Sequence, residues 1–220
     1  MGSRAGRPRV RPLALALVLL SSPIVLAADL PLPGPYQQAL HALQTDPVAA
    51  GRGQAAVALG QGFTTVPRPG ADPRIVGALG ESVRLDPDPT VRALAAYALC
   101  LLGDARGAPP LIDALRSHTA AGRDAQGYFD DRVRVPLAYL YRALGFVDGP
   151  VARDFLLSVA GAGDREARVL AIGTLGEYWT RDATIDARLE ALLPERDPSI
   201  KAAVTWALDE RRRNRAAAPR

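Results

Sequence analysis

Few side chains in this sequence have the type and spacing that catalysis or metal binding requires. Only two histidines occur, His41 and His118, and neither has a second histidine or a glutamate nearby at metal-ligand spacing. No G-x-S-x-G elbow and no glycine-rich phosphate loop is present. The sequence therefore predicts no catalytic, cofactor-binding or metal-binding residue, and no cofactor.

Two carboxylate pairs, Asp86 with Asp88 and Asp130 with Asp131, could contribute to a calcium site. Both stand where a helix is predicted to begin, and there an aspartate caps free backbone N–H groups. Capping is the preferred interpretation, because the ligand count is low for calcium. Cys100 is the only cysteine, so no intramolecular disulfide can form. We expect it to be a small buried hydrophobe, with a reactive or intermolecular thiol as the alternative.

The segment 86–115 predicts two short helices joined by a tight turn. Asp88 is a suitable N-cap, Pro89 suits the first helical position, and Gly103 can end the helix in the left-handed conformation. Between them, apolar residues recur with the period of one helix face. A second helix is predicted from Ala108. A pair this small cannot bury its own apolar faces, so it is expected to stack on similar pairs.

Similar helix starts recur at positions 130, 164 and 197, which are 42, 34 and 33 residues apart in succession from position 88. Spacings of this size are typical of helical repeats. Each start has a basic residue four places later, and we interpret the set as a structural ladder that fixes the repeat spacing. Its members are Asp88, Arg92, Asp130, Arg134, Asp164, Arg168, Asp197 and Lys201. The alternative is a positive stripe for an anionic ligand, although the neighbouring aspartates would neutralise much of its charge.

The rest of the chain is assigned around these repeats. Residues 28–45 are a proline-rich lead-in and a first short helix, 46–215 the repeat domain, and 216–220 a disordered tail. Gly51 and Gly53 are expected to interrupt the first repeat helix. His118–Gly127 reads as a long loop, and Pro136 should kink or delay the third repeat. Thr184–Leu193 is predicted as a partner helix.

Residues 1–27 have the organisation of a secretory signal peptide. Four arginines precede an apolar segment, and Val25-Leu26-Ala27 is a small-residue cleavage pattern. Export to the periplasm or the medium is expected, with no integral membrane span in the mature chain. An uncleaved anchor is the alternative, although the apolar segment is short for a bilayer. Of 27 basic and 23 acidic residues, four basic ones lie in the leader, so the remainder carries 23 of each. This balance gives no support to nucleic-acid binding.

Large aromatic side chains are the candidates for an interface. Tyr128 and Phe129 follow the predicted loop, and Trp179 follows a repeat helix. Exposed aromatics anchor protein interfaces, whereas buried ones fill the core between repeats. Packing within the core is the preferred interpretation, and an interface role is the alternative.

The segment Asp88-Pro89-Thr90-Val91-Arg92-Ala93-Leu94, followed by Leu102-Gly103-Asp104, resembles the HEAT repeat. It is most similar to the short repeats of phycobilin lyase subunits and bacterial scaffold proteins. Asp197-Pro198-Ser199-Ile200-Lys201 is a second match. The resemblance implies an all-α fold, a right-handed α-solenoid of about four to five antiparallel helix pairs. It also implies a concave face, lined by the second helices, that binds proteins.

These observations predict an exported, non-enzymatic scaffold that binds a protein partner of unknown identity through its concave face. The alternative is an accessory enzyme or a cofactor-handling, lyase-like protein that uses the groove and the 118–129 loop as a pocket. End-to-end self-association is a third possibility, because the sequence does not fix the oligomeric state.

Overall fold

The computed structural model describes residues 31–62, 72–121 and 132–217, all within one compact unit, Pro31–Arg220. In these ranges the chain is helical and contains no strand, which confirms the all-α prediction. A short 3₁₀ turn, Ala105–Gly107, follows the fourth of ten α-helices. The helices are α1 (Gly34–Thr45), α2 (Ala49–Gln61), α3 (Pro73–Leu85), α4 (Pro89–Leu101), α5 (Ala108–Ala121), α6 (Leu137–Leu144), α7 (Pro150–Ala162), α8 (Arg165–Glu177), α9 (Ala183–Glu190) and α10 (Pro198–Ala217).

The starts of α4, α8 and α10 follow from local chemistry at the aspartates predicted to cap them. The Asp88 carboxylate accepts hydrogen bonds from the backbone N–H groups of Thr90 and Val91, at 2.8 and 3.3 Å. Pro89 is the first helical residue, and Gly103 follows the helix with a φ of 77°. The Asp164 and Asp197 carboxylates cap α8 and α10 in the same way. Each cap satisfies donors that have no partner within the helix.

The helix α4 lies at the centre of the hydrophobic core. Its residues from Val91 to Cys100 are buried, apart from the half-buried Arg92. It packs against α2, α3, α5 and α6. The even-numbered helices are in contact in series, since α2 packs on α4, α4 on α6, α6 on α8 and α8 on α10. Among the odd-numbered helices, α1 contacts α3, and α5 contacts α7.

Two glycines allow even-numbered helices to approach closely. A Cβ atom on Gly60 of α2 would lie 2.6 Å from the Cα of Ala98 in α4. A Cβ atom on Gly176 of α8 would lie 2.8 Å from the Cα of Ala207 in α10. Both obstacles are backbone atoms, so the helices would have to separate to accept a side chain. The small residues at these positions therefore set the spacing between helices.

Several predicted boundaries were wrong. Helix α5 continues to Ala121, so His118 lies within a helix, because the sequence has no strong helix breaker before Gly122. Helix α2 runs through Gly51 and Gly53 without interruption. A Cβ atom on Gly53 would lie 3.0 Å from the Leu94 side chain, so tertiary packing compensates for the low helix propensity of glycine.

Other boundaries moved for equally local reasons. Pro136 is the residue before α6, which begins at Leu137, so this proline delays the helix. Helix α9 covers Ala183–Glu190 and ends before the predicted Leu193, ahead of Pro194. Helix α10 extends to Ala217, two residues into the segment predicted to be disordered. The predicted leader, 1–27, lies outside the described residues.

Candidate interaction surface

Three grooves follow one another between successive odd-numbered helices. The first, of about 490 Å³, lies between α1 and α3 and is lined in part by Glu81 and Leu85. The second, of about 470 Å³, lies between α3 and α5 beside the start of α4. The third, of about 320 Å³, lies between α5 and α7 and includes Val151. Asp113 lines both the second and the third groove. We call this grooved surface of α1, α3, α5 and α7 the odd-helix face.

Apolar side chains project from this surface into solvent. Leu85 is 65% exposed in the first groove, and Val151 is 54% exposed in the third. In the third groove the Arg116 guanidinium lies 5.5 Å from the centre of the Phe155 ring, a cation–π distance. The odd-helix face thus combines exposed apolar side chains with charged side chains.

The second groove brings together polar side chains of the types that enzymes use in catalysis. Arg92, Asp113, Ser117 and His118 all line it. The Arg92 side chain already has hydrogen-bond partners, because its Nη1 donates to the carbonyl oxygens of Asp86 and Pro87 at 2.7 and 3.1 Å. Among the described residues no group of three or more His, Cys, Asp or Glu side chains is arranged to hold a metal ion.

The predicted ladder aspartates that the structure describes serve as helix caps, and two of them also pair with arginines that are distant in sequence. Arg132 donates to the Asp88 carboxylate at 3.0 Å, across 44 residues of sequence. The Arg165 guanidinium lies 3.1 Å from the Asp197 carboxylate. Asp164 caps α8, and Asp130 lies outside the described residues. These arginines stand outside the predicted set of basic residues.

The predicted basic residues have different surroundings from one another. Arg168 donates to the Glu195 carboxylate at 2.6 Å and to the Ala160 carbonyl oxygen at 2.9 Å. Arg92 binds carbonyl oxygens, as described above. Arg134 is exposed and has a φ of 53°, and Lys201 is exposed on α10. Two of the four, Arg92 and Arg168, therefore bind backbone carbonyl oxygens that precede their own helix.

An ion pair that sequence reasoning missed joins Arg52 of α2 to Asp86, the residue after α3. The Arg52 Nε lies 2.7 Å from one carboxylate oxygen, and its Nη2 lies 2.9 Å from the other, so the pair is bidentate. Burial alone would raise the pKa of Asp86, but bonds from Arg52 and from the Asp88 N–H hold it below its usual value. The sequence does contain a pattern that points to this pair. An Asp-Pro dipeptide is followed by an arginine at the same spacing in residues 46–52 and in residues 86–92.

A second missed contact centres on Arg211, which is fully buried in α10. Its Nε donates to the Asp186 carboxylate at 2.6 Å. Its two terminal nitrogens donate to the carbonyl oxygens of four residues, at 2.8–3.0 Å: Leu175, Tyr178, Trp179 and Asp182. All five guanidinium donors are therefore used, and they fix the turn between α8 and α9.

Of the three aromatic residues predicted as interface candidates, the structure describes one, Trp179. Tyr128 and Phe129 lie outside the described residues. Trp179 is half-buried, packs against the edge of the core and has a φ of 49°. Its ring centre lies 6.3 Å from that of Tyr178, which in turn lies 5.2 Å from that of Phe146. Sequence reasoning missed Phe146, because only the fold brings the two turns together.

No protein-family model matches the chain, and no curated protein matches it. Within the described residues, no helix has both the length and the apolar character needed to cross a bilayer.

Proposed function

We propose that this chain is an exported, non-enzymatic scaffold that binds a protein partner through its odd-helix face. In this proposal the helices form an α-solenoid of the HEAT-like type, and the odd-numbered helices line its concave side. We infer a protein partner because the grooves are open to solvent and are lined by charged as well as apolar side chains, unlike the enclosed apolar cavities that hold small molecules.

The observation that carries the proposal is the run of three grooves between successive odd-numbered helices. The serial contacts of the even-numbered helices support the solenoid, because they leave the other helix layer free to line one side. The recurring aspartate caps of α4, α8 and α10 support repetition of one module. The leader pattern of residues 1–27 supports export.

Crosslinking capture from the cell-envelope fraction tests this proposal when the full chain is compared with variants of its surface. We expect the full chain to recover one stoichiometric protein. The double variant Leu85→Asp, Val151→Asp places charge in the first and third grooves and should lose that protein. Leu193→Asp is the matched control, because Leu193 is exposed but lines none of the three grooves. Equal recovery by the double variant and the control would contradict the proposal.

A second candidate, a cofactor-handling or lyase-like accessory enzyme, is favoured by the side chains of the second groove. His118 and Asp113 both line it, and both can transfer protons. In this case the purified chain would convert a small molecule, and His118→Ala would abolish the conversion. Partner capture should then be unaffected by Leu85→Asp, Val151→Asp, which separates the two candidates.

A further inference from the structure

An exposed aromatic cluster lies on turns outside the odd-helix face. We call Phe146, Tyr178 and Trp179 the aromatic cluster. Phe146 follows α6 and is 45% exposed, although it is a large apolar residue. Tyr178 and Trp179 follow α8 and are half-buried. Their rings are tilted against each other, with the centres of neighbouring rings 5.2 and 6.3 Å apart. Tilted arrangements of this kind are favourable for aromatic pairs.

Hydrogen bonds and packing constrain the backbone that carries Tyr178 and Trp179. Arg211 donates to the carbonyl oxygens of Tyr178 and Trp179, at 2.8 and 3.0 Å. Trp179 has a φ of 49°, which a bulky residue rarely adopts, so the surrounding bonds must maintain it. The Tyr178 ring packs against Gly145, where a side chain would not fit. A rigid aromatic surface loses little entropy when it binds a partner.

Two charged side chains beside these rings have no side-chain partner among the described residues. An open groove of about 560 Å³ is lined by Tyr178 and Trp179 together with Asp148, Arg181 and Asp182. Asp182 accepts a hydrogen bond from Arg153 at 3.0 Å. In contrast, Asp148 and Arg181 are exposed, and no described residue forms an ion pair or side-chain hydrogen bond with either of them. They also do not pair with each other. Each charge is therefore available to a ligand.

We propose that this groove binds an extended peptide segment of a partner protein. An apolar or aromatic side chain of the segment stacks on Tyr178 and Trp179. An acidic residue of the segment pairs with Arg181, and a basic one pairs with Asp148. Aromatic and arginine side chains in rigid pockets carry most of the binding energy at protein interfaces. This site is separate from the odd-helix face and does not depend on the function proposed above.

Selection of random peptides displayed on phage against the immobilised full chain tests the proposal. We expect enriched peptides to carry an apolar residue flanked by an acidic and a basic one. A synthetic peptide of that sequence is then titrated into the Trp206→Phe variant. Trp179 is the only tryptophan left in that variant, because the chain contains two. Its emission should change on binding, and the affinity should fall with added salt.

Charge reversals decide whether the site is the one proposed. Arg181→Glu and Asp148→Lys should each weaken peptide binding about tenfold or more, as expected for a central charged contact. Arg188→Glu is the matched control, because Arg188 is exposed on α9 and pairs with no described residue. Circular dichroism verifies that each variant is folded. Leu85→Asp, Val151→Asp should leave peptide binding unchanged, which keeps this test separate from that of the odd-helix face.

Three results would overturn the proposal. The first is selection without a shared sequence pattern. The second is a pattern whose binding leaves Trp179 emission unchanged. The third is equal binding by the Arg181→Glu and Arg188→Glu variants.

Discussion

Arg211 is the residue whose loss we expect to reduce folding stability most. Arg211→Met keeps much of the side-chain volume but leaves four backbone carbonyl oxygens and the Asp186 carboxylate without these donors. Removing one partner of a buried ion pair costs about 3–5 kcal/mol of unfolding free energy. Urea denaturation followed by circular dichroism measures this loss.

The control lies one position along the same helix. Arg212 is 63% exposed on its side chain and pairs with Asp209 on the surface. Arg212→Met should change the unfolding free energy by less than about 0.5 kcal/mol. If the two variants were equally stable, the buried network would not anchor α10.

Cys100 should be chemically inert in the folded protein. Its side chain is fully buried in α4, and burial raises the pKa of the thiol to about 12. Since the thiolate is the reactive form, almost none is present at neutral pH, and reagents cannot reach it. A thiol-specific reagent should therefore label Cys100 only in denaturant, as measured by mass spectrometry. Rapid labelling in buffer alone would show that α4 is accessible.

At the scale of helices, two glycines of α8 should respond in opposite ways to the same substitution. A Cβ atom at Gly176 would lie 2.8 Å from the Ala207 backbone, whereas nothing lies within 4 Å of one at Gly173. Gly173→Ala should stabilise the protein by up to about 1 kcal/mol through helix propensity. Gly176→Ala should destabilise it, because α8 and α10 must move apart. Thermal unfolding of both variants measures the difference. A gain in stability for both would contradict the close approach.

The sequence predicted those parts of the helices that depend on neighbouring residues. Asp88, Pro89 and Gly103 act within one turn of their own helix, so their roles could be read directly. Helix boundaries were predicted wrongly where tertiary contacts determine them. At Gly53, packing against Leu94 offsets the low helix propensity of glycine. The end of α5 was also predicted wrongly, because no helix-breaking residue stands at the predicted position.

The candidate site was less predictable than the helices, since its residues are distant in sequence. Trp179 was a candidate from its type alone, but Phe146 joins it only through the packing of α6 on α8. The bidentate pair of Arg52 with Asp86 spans 34 residues. From its sequence neighbours, Arg211 would be expected on the surface, because it lies in the charged C-terminal half of α10. Its burial is explained only by its contacts with the turn after α8. A periodic pattern gives the face of a helix and not the partner of a side chain.

For the whole molecule, the ion pairs predict a stability that depends on pH. Hydrogen bonds and nearby arginines or backbone N–H groups hold several carboxylate pKa values below their usual range. These carboxylates are Asp72, Asp86, Asp88, Asp104, Asp182, Asp186, Glu195 and Asp197. The folded state then binds fewer protons than the unfolded state in acid, so stability falls as the pH falls.

We expect the stabilisation to be complete above about pH 5 and to disappear progressively below about pH 4, near the unfolded pKa of a carboxylate. Asp86→Asn should flatten this dependence, because it removes one of the carboxylates with a lowered pKa. Asp113→Asn serves as the control, since the Asp113 side chain is 74% exposed. Urea midpoints measured across this pH range provide the comparison. Equal slopes for the two variants would contradict the assignment to Asp86.

We propose that successive helix pairs stack in one fixed register, and a double-mutant cycle on Arg52 and Asp86 tests this proposal most directly. These side chains belong to successive helix pairs and are 14% and 6% exposed. The cycle compares unfolding free energies of Arg52→Ala, Asp86→Ala, the double variant and the parent. The surface pair Arg116 and Asp113 is the control, with a coupling expected below about 0.5 kcal/mol. Stacking in register predicts a coupling of about 1–3 kcal/mol between Arg52 and Asp86. A coupling no larger than that of the control would contradict it.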